Sequence, residues 1–599
     1  MSDSKTIRIG GASGFWGDAG HATTQLLGDG NLDFIVYDYL AEITMSIMAR
    51  ARAKNPDMGY AGDFVSVALK QNLTEIANQG VKILSNAGGV NPAACGAAVR
   101  ALVQELGLDL KVAVVVGDDL VERRAEIGAT APAEMFTGEG FPDPDNILSM
   151  NAYLGAFPVA KALNEGADIV ITGRSVDSAV TLGACIHAFG WQPEDLDELA
   201  GGSLCGHILE CGPQATGGNF TDWEEIVGTY EDIGYPIAEV SADGSFVTTK
   251  PAGTGGRVMV GTVAEQMLYE IGDPQAYFLP DVVCDFSQVQ LEELGRDRVK
   301  VSHAKGAGVP DSYKVSTTFS DGWRGGTVFT YCGIDADRKA RAFTDAVYAR
   351  ARKQFHRLNM PDFTHTEVEV IGAEDHYGDA RRIQGAREVD VKIAAKHPDQ
   401  AGIAIMLREA TGLALAAPPG LAGFAGNRAK PSPVVRLFSM TIDKGQVPIT
   451  VDVDGKTETF TDKVVVPYDP KASTPPAPPA APDLSGDVVE VPLVALAWGR
   501  SGDKGNKANI GVIARKAAYL PYIWAALDEA AIAKHFAHFL DGSVERFYMP
   551  GSNAINFLLH DVLGGGGVAS VRNDPQGKTY AQLILDTPIR VPAALAKSL

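Results

Sequence analysis

The densest chemistry in this chain lies in one stretch, Cys205-Gly206-His207-Ile208-Leu209-Glu210-Cys211-Gly212, followed by Gln214-Ala215-Thr216-Gly217-Gly218-Asn219-Phe220. An imidazole and a carboxylate three residues apart share a face if the segment is helical. His207 and Glu210 are therefore an acid/base pair that needs only a substrate beside it. Histidine, glutamate and cysteine also bind metals, but the spacing matches no standard zinc pattern, and no metal site is assigned. Cys205 and Cys211 read as structural. Behind the pair stand two further acid/base residues, Asp18 and Asp38. Asp38 forms a carboxylate pair with Glu42 at the end of an apolar run, though a solvated helix start accounts for that pair nearly as well.

Around these residues are loops rich in groups that hold anions. Gly10-Gly11-Ala12-Ser13-Gly14-Phe15-Trp16-Gly17-Asp18 offers small residues, Gly11, Ser13 and Gly14 among them, whose amides could cradle a pyrophosphate or carboxylate at a helix start. The competing view is a tight strand-to-helix turn with Trp16 as core. The glycine spacing is not a dinucleotide fingerprint, and no Gly-Lys-Ser/Thr follows. Asn86-Ala87-Gly88-Gly89-Val90-Asn91-Pro92 reads as a second binding loop, with Asn86, Gly88, Gly89 and Asn91 facing a ligand. Asn91 also caps a helix whose first residue is Pro92. Cys95 then falls in the first turn, more simply as a buried thiol than as a nucleophile. A third loop, Gly173-Arg174-Ser175-Val176-Asp177-Ser178, supplies a cation, two hydroxyls and a carboxylate; Arg174 could clamp an acid bidentately or simply pair with Asp177. Thr216, Gly217, Gly218 and Asn219 extend the binding set. So do Ser501 and Lys504 in the cation-rich stretch Gly499–Asn509, which is either a phosphate loop or a solvated hairpin loop.

These loops share a position. Ile7-Arg8-Ile9, Phe34-Ile35-Val36, Val81–Leu84, Val112–Val116 and Ile169–Thr172 are continuous apolar runs, each ending in one polar loop. Stretches such as Ala41–Lys54 and Ala93–Leu106 between them are long enough for crossover helices. That pattern predicts parallel strands buried on both faces, a doubly wound α/β sheet, with the loops at the carboxyl ends where ligands bind.

Residues 1–204 are thus expected to form a Rossmann-like α/β domain. Glycine pairs and short β-like runs, Arg257–Val263 and Val328–Cys332, mark a second α/β domain over 205–465. Residues 466–486, containing YDPKASTPPAPPAAPDLSG, read as a semi-extended linker. Residues 487–599 read as a small α+β ferredoxin-like domain. Its expected order is a strand Val491–Ala497, the loop Gly499–Asn509, and a strand Ile510–Ala514. A helix-like Ile523–Phe539, the loop Met549–Asn553, a further helix-like run and a closing strand Tyr580–Leu585 complete it.

Composition narrows the function. A net charge of −22 over 599 residues argues against a general nucleic-acid or acidic-membrane surface, while leaving an anionic small molecule open. No apolar run approaches the roughly 20 residues of a membrane span, the amino terminus carries no apolar signal region, and six scattered cysteines are no disulfide framework. The expectation is a cytoplasmic enzyme for a small molecule, without nucleic-acid or membrane partners, and homo-oligomeric.

The chain resembles the AtuA-like, acyclic terpene utilisation family. The resemblance rests on Ser13-Gly14-Phe15-Trp16-Gly17-Asp18, Gly206-His207-Ile208-Leu209-Glu210-Cys211, Thr216-Gly217-Gly218-Asn219-Phe220, Glu265–Pro274 and Ser501-Gly502-Asp503-Lys504-Gly505, and it runs through to the ferredoxin-like tail. It implies degradation of branched isoprenoid alcohols through coenzyme A thioesters, with coenzyme A as part of the substrate. The expected activity is a lyase or hydratase on a 3-hydroxy-3-alkylglutaryl-CoA-like thioester. The alternative is a non-catalytic scaffold for neighbouring acyl-CoA enzymes, suggested by the tethered tail. A nicotinamide oxidoreductase is disfavoured by the absent fingerprint.

Overall fold

All five apolar runs become strands: β1 (Thr6–Gly11), β2 (Phe34–Tyr37), β3 (Lys82–Gly89), β4 (Val112–Val116) and β5 (Ile169–Gly173). The structure is a computed structural model and describes residues 5–18, 20–423, 428–567 and 569–599; the first four residues of the amino-terminal segment lie outside the described residues. The five strands are parallel and lie side by side in the order β1-β2-β3-β5-β4. Alternate side chains enter two separate cores. Ile9, Val36 and Leu84 face one, while Ile35, Tyr37 and Ile83 face the other. Each such aliphatic side chain contributes about 1.5–3 kcal/mol by leaving water.

The sheet as a whole is mixed rather than parallel throughout. Strand Ile237–Ser241 runs antiparallel to β1, and Phe246–Thr249, Arg298–Ser302 and Gln290–Gly295 continue beyond it. On the other edge Ile449–Val453 runs antiparallel to β4, followed by Lys456–Phe460. Strands from both sides of residue 204 therefore share one eleven-stranded sheet. The cut expected there falls inside a helix.

Helix α1 (Glu42–Lys54) and helix α2 (Pro92–Glu105) follow β2 and β3, and Asn91 caps α2 through its side chain as its position before Pro92 predicts. After β5 come α3 (Ala179–Phe189) and α4 (Leu196–Leu209). From Leu199 to Leu209 every residue of α4 is buried, as expected of a helix apolar all round. Gly206 lets it sit directly on Ser178: a Cβ there would lie 2.6 Å from the serine Cβ. That close approach ties the end of α4 to the loop after β5. The expected β-like run Arg257–Val263 instead leads into helix α5 (Val260–Met267), since a short apolar run does not reveal its own period.

A second sheet stands beside the carboxyl ends of the parallel strands. Its spine is the 21-residue strand Ser312–Cys332, paired along its first half with Ser432–Asp443 and with Ile147–Ala152, and along its second half with Glu388–His397.

The tail folds as four antiparallel strands in the order β6 (Ala497–Lys504), β7 (Lys507–Ala514), β9 (Ala554–Leu559), β8 (Val544–Met549). The expected loop Gly499–Asn509 is mostly strand, with only Gly505-Asn506 as the turn. The stretch between Asn553 and Tyr580, expected to hold a helix-like run, opens with the strand Ala554–Leu559, and Tyr580–Ile584 is a helix, not a closing strand. Glycine made β6 look like a loop, yet here it serves close backbone approach. A Cβ on Gly502 would lie 2.7 Å from both Glu270 Cγ and the Tyr269 ring. The module therefore grips residues 268–272 face on. Asn509 donates to Leu268 O and accepts from Glu270 N, and Asn556 donates to Ile271 O and Gly272 O. Ile513, Met549 and Ala554 of the module belong to the body's own core. The linker does not leave the tail loose.

Candidate active-site cleft

The carboxyl ends of β2 and β5 and the end of α4 converge. Asp38, just past β2, is buried and held through Oδ1 by the side-chain amide of Asn86 and the Leu40 amide. Arg174, just past β5, donates to Leu40 O at 2.9 Å and to Asp177 Oδ1 at 2.9 Å, and stacks on the Tyr153 ring at 4.2 Å. At the end of α4, His207 Nδ1 lies 3.0 Å from Glu210 Oε1. The approach is off the line an N–H would take, so this is a charge contact rather than an aligned hydrogen bond. Oxygens of Asp38, Asp177 and Glu210 all fall within 4.8 Å of one another.

Facing them are groups from the second sheet and the C-terminal module. Lys314, on the long strand, lies 3.9 Å from Glu42 Oε1 and 4.9 Å from the centre of the Tyr153 ring. Lys504, at the end of β6, reaches over the Tyr277 ring. Lys578 bonds Glu270 at 2.7 Å, Asp503 at 2.9 Å and the Tyr269 hydroxyl. Glu42, Asp177, Lys314, Glu270 and Lys578 are each surrounded by protein, yet keep roughly a quarter to a third of their surface open to solvent. These part-exposed charged groups gather where the strand ends, the long strand and the C-terminal module meet, a candidate cleft. On one side lie the ends of the parallel strands and of α4, on the other β6 and the long strand.

Its electrostatics follow from crowding charges in a poorly solvated space. Burial pushes the Asp38 carboxyl well above its usual range, and the charges of Asp177 and Glu210 add to this. Burial also raises Glu210, with Asp177 adding, against the pull of His207 and Lys504. For His207 burial works against the charged form, but the Glu210 carboxylate outweighs it and the net direction is up. Glu42 goes the other way: burial opposes ionisation, yet Lys314 and Arg174 bring it down to about 2. Asp503 is raised to about 6 by burial and by Glu270. The thiols are inert by the same physics, since burial raises Cys95, Cys205 and Cys211.

Of the residues singled out in the sequence, the fold brings His207, Glu210, Asp38, Arg174, Asp177 and Lys504 to this cleft, with Asn86 behind Asp38. The others are placed differently. Asp18 accepts from the Tyr235 hydroxyl at 2.8 Å and from Gly14 N at 2.9 Å. Gly11 and Gly14 press against the backbone of Leu209 and Cys211, and Ser13 bonds Phe15 O and Asp38 O. Gly88 packs on Thr172 O and Gly89 on Met48, while Asn91 caps α2 and bonds Pro56 O and Met58 O. Thr216 bonds Pro213 O and Gly234 O; Gly217 and Gly218 turn beside it, and Asn219 O accepts from Arg500. Ser501 bonds Lys578 O and Ala581 N. Ser175 and Ser178 are buried with hydroxyls that make no hydrogen bond among the described residues.

Sequence reasoning missed Tyr153, Lys314, Tyr277, Glu270, Asp503 and Lys578. Glu270 and Asp503 lie inside the quoted stretches Glu265–Pro274 and Ser501–Gly505, which was the available signal. Lys314, Tyr153 and Lys578 sit in ordinary sequence and become site residues only through tertiary pairing.

Among the described residues no helix is long and apolar enough to cross a membrane. Neither curated proteins nor solved structures gave a match. Two family models do match, that of acyclic terpene utilisation family protein AtuA over residues 7–453 and that of the AtuA ferredoxin-like domain over residues 491–590. The first covers the sheet except its edge strand Lys456–Phe460, with Asp38, Asp177, His207 and Glu210, and the second the module that supplies Lys504 and Lys578. The chain belongs to the acyclic terpene utilisation family AtuA and carries that family's ferredoxin-like domain at its C-terminal end.

Proposed function

We propose that the chain is an enzyme of branched, isoprenoid-type acyl-CoA catabolism, a lyase or hydratase acting on a 3-hydroxy-3-alkylglutaryl-CoA-like thioester. The observation that carries this reading is the His207–Glu210 pair within the electrostatic reach of Lys504 and beside Asp177, which Arg174 holds. Carbon–carbon cleavage of such a thioester needs a base for the 3-hydroxyl proton. The C2–C3 bond then breaks, its electron pair moves onto the thioester as an enolate, C3 becomes a ketone, and C2 takes up a proton. His207, oriented by Glu210, is the acid/base group. Lys504 supplies positive charge toward the enolate oxygen, an effect commonly worth a few kcal/mol when the donor is held in place. Arg174 and Lys314 suit the free carboxylate of the substrate. A hydratase would use the same groups, moving a proton at C2 and water at C3.

The apolar branch also has room. A groove lined by Ala49, Ala53, Pro56, Val90, Val121 and Leu148, together with the charged Arg52, Asp119 and Glu122, meets, at Ser149, the small pocket walled by Tyr153 and Arg174. A non-catalytic scaffold role drew its support from a loosely tethered tail, and the tail is packed into the body.

The test is turnover by purified protein of 3-hydroxy-3-methylglutaryl-CoA and of analogues with longer 3-alkyl branches, followed by product analysis. Acetyl-CoA release, or hydration or dehydration, is the expected result. Inertness toward every branched thioester, with the protein folded, contradicts the proposal.

A further inference from the structure

The carboxylates of Asp38, Asp177 and Glu210 come from three separate chain segments, yet their oxygens lie within 4.8 Å of one another. Three oxygens held by one ion at roughly 2.0–2.6 Å stand about 3–4.5 Å apart from one another, so side-chain adjustments that draw the three together let one ion reach all of them. Each carboxylate is divided in the same way, two by hydrogen bonds and Glu210 by its charge contact with His207. Asp38 gives Oδ1 to Asn86 and Leu40 N, Asp177 gives Oδ1 to Arg174, and Glu210 turns Oε1 to His207. The second oxygen of each makes no hydrogen bond among the described residues. One oxygen oriented by an outer partner and one left for the ion is how metal-binding carboxylates are usually held.

A separate observation points to a ligand at the same place. His207 is 1% exposed, and neither of its ring nitrogens makes a hydrogen bond among the described residues, although Nδ1 is turned to the cluster at 3.0 Å from Glu210. The hydroxyls of Ser175 and Ser178, flanking Asp177, are likewise buried and unbonded. Buried polar groups of native proteins are rarely left so, and Ser178, next to Asp177, packs against Gly206 beside His207.

The geometry points to a divalent cation site formed by Asp38, Asp177 and Glu210, with His207 as a further ligand or as partner to an ion-bound water. Oxygen ligands with one imidazole suit a hard or borderline ion of the Mg²⁺ or Mn²⁺ class. A bound ion adds positive charge among the crowded carboxylates, which favours an anionic substrate. The site stands whether or not the reaction proposed above is the right one, because binding is read without turnover.

The probe is Mn²⁺ added to the full chain after EDTA treatment, with the free-ion electron paramagnetic resonance signal as the readout. One ion bound per chain is expected, weakened at least tenfold by Asp38→Asn and by Asp177→Asn. Asp197→Asn, in another acidic patch (with Glu198 and Asp243), should leave binding unchanged. A wild-type chain that leaves the free-ion signal intact at millimolar Mn²⁺ overturns the site, as does binding that survives both substitutions. Circular-dichroism melts accompany each variant. If one does not fold, a Co²⁺-loaded wild-type spectrum decides: a spectrum changed by His207→Gln supports the site, and that of the aqueous ion overturns it.

Discussion

At the residue scale, two side chains bear the chemistry of the proposal. Replacing His207 or Glu210 with glutamine should lower turnover by about 10²–10⁴-fold, the usual contribution of a positioned acid or base. KM should change little, because the lost interaction belongs mainly to the transition state. Steady-state kinetics with a thermal melt on each variant checks this; activity falling only in step with folded protein would make the pair structural. Both residues were legible in the sequence because they are three apart at the end of one helix, His207 in its last turn and Glu210 just past it. Asp38 and Asp177 were each legible as loop carboxylates, but not as partners of Glu210. They lie far from it in the chain, and only the carboxyl ends of β2 and β5 bring them together. Gly11 and Gly14 show the reverse: in the sequence they read equally as an anion cradle or a tight turn, and the fold turns them onto the backbone of α4's end.

At the scale of elements, α1 and strand Ile147–Ala152 build the groove with apolar residues on part of its lining. Leu148, partly exposed on that strand, forms part of its wall. Leu148→Trp should lower kcat/KM for long 3-alkyl branches at least tenfold and leave the 3-methyl substrate nearly untouched. Equal losses on both substrates would remove the groove from the account. The module's docking has its own acid limit. Glu369 is 3% exposed and accepts from Asn573 N at 2.8 and 3.1 Å. Burial opposes its charge, but His376, Lys392 and that backbone amide bring its pKa down to about 2. A depressed carboxyl stabilises fully above its ordinary value, roughly 4.3, and that stability is lost as pH falls toward 2. Proteolysis of the tail, or the fluorescence of Trp498 at the interface, should report loosening below about pH 4.5 in wild type. Glu369→Gln should loosen already at neutral pH; a variant as tightly docked as wild type would contradict this.

The strands of the parallel sheet were readable because burial on both faces writes unbroken apolar runs. The antiparallel edges were not, since Ile237–Ser241 and Ile449–Val453 join the sheet from distant sequence. Strand β6 was misread because its glycines, needed for the approach of residues 268–272, are the residues that mark loops.

At the scale of the whole molecule, the cleft belongs to neither part alone. The body supplies the carboxylates, His207 and Arg174; the ferredoxin-like module supplies Lys504 and, with Lys578, fixes Glu270. The proline-rich linker covalently ties a module that is a structural part of the site. The most direct test is turnover of Lys504→Met, measured on whichever branched 3-hydroxyacyl thioester the full chain converts, beside its thermal melt. The substitution keeps the aliphatic stem and removes only the charge presented to the cleft. Turnover reduced by about 10²–10³-fold, in a protein that melts like wild type, is the predicted result. Unchanged turnover would contradict the placement of the active site at the junction of body and module.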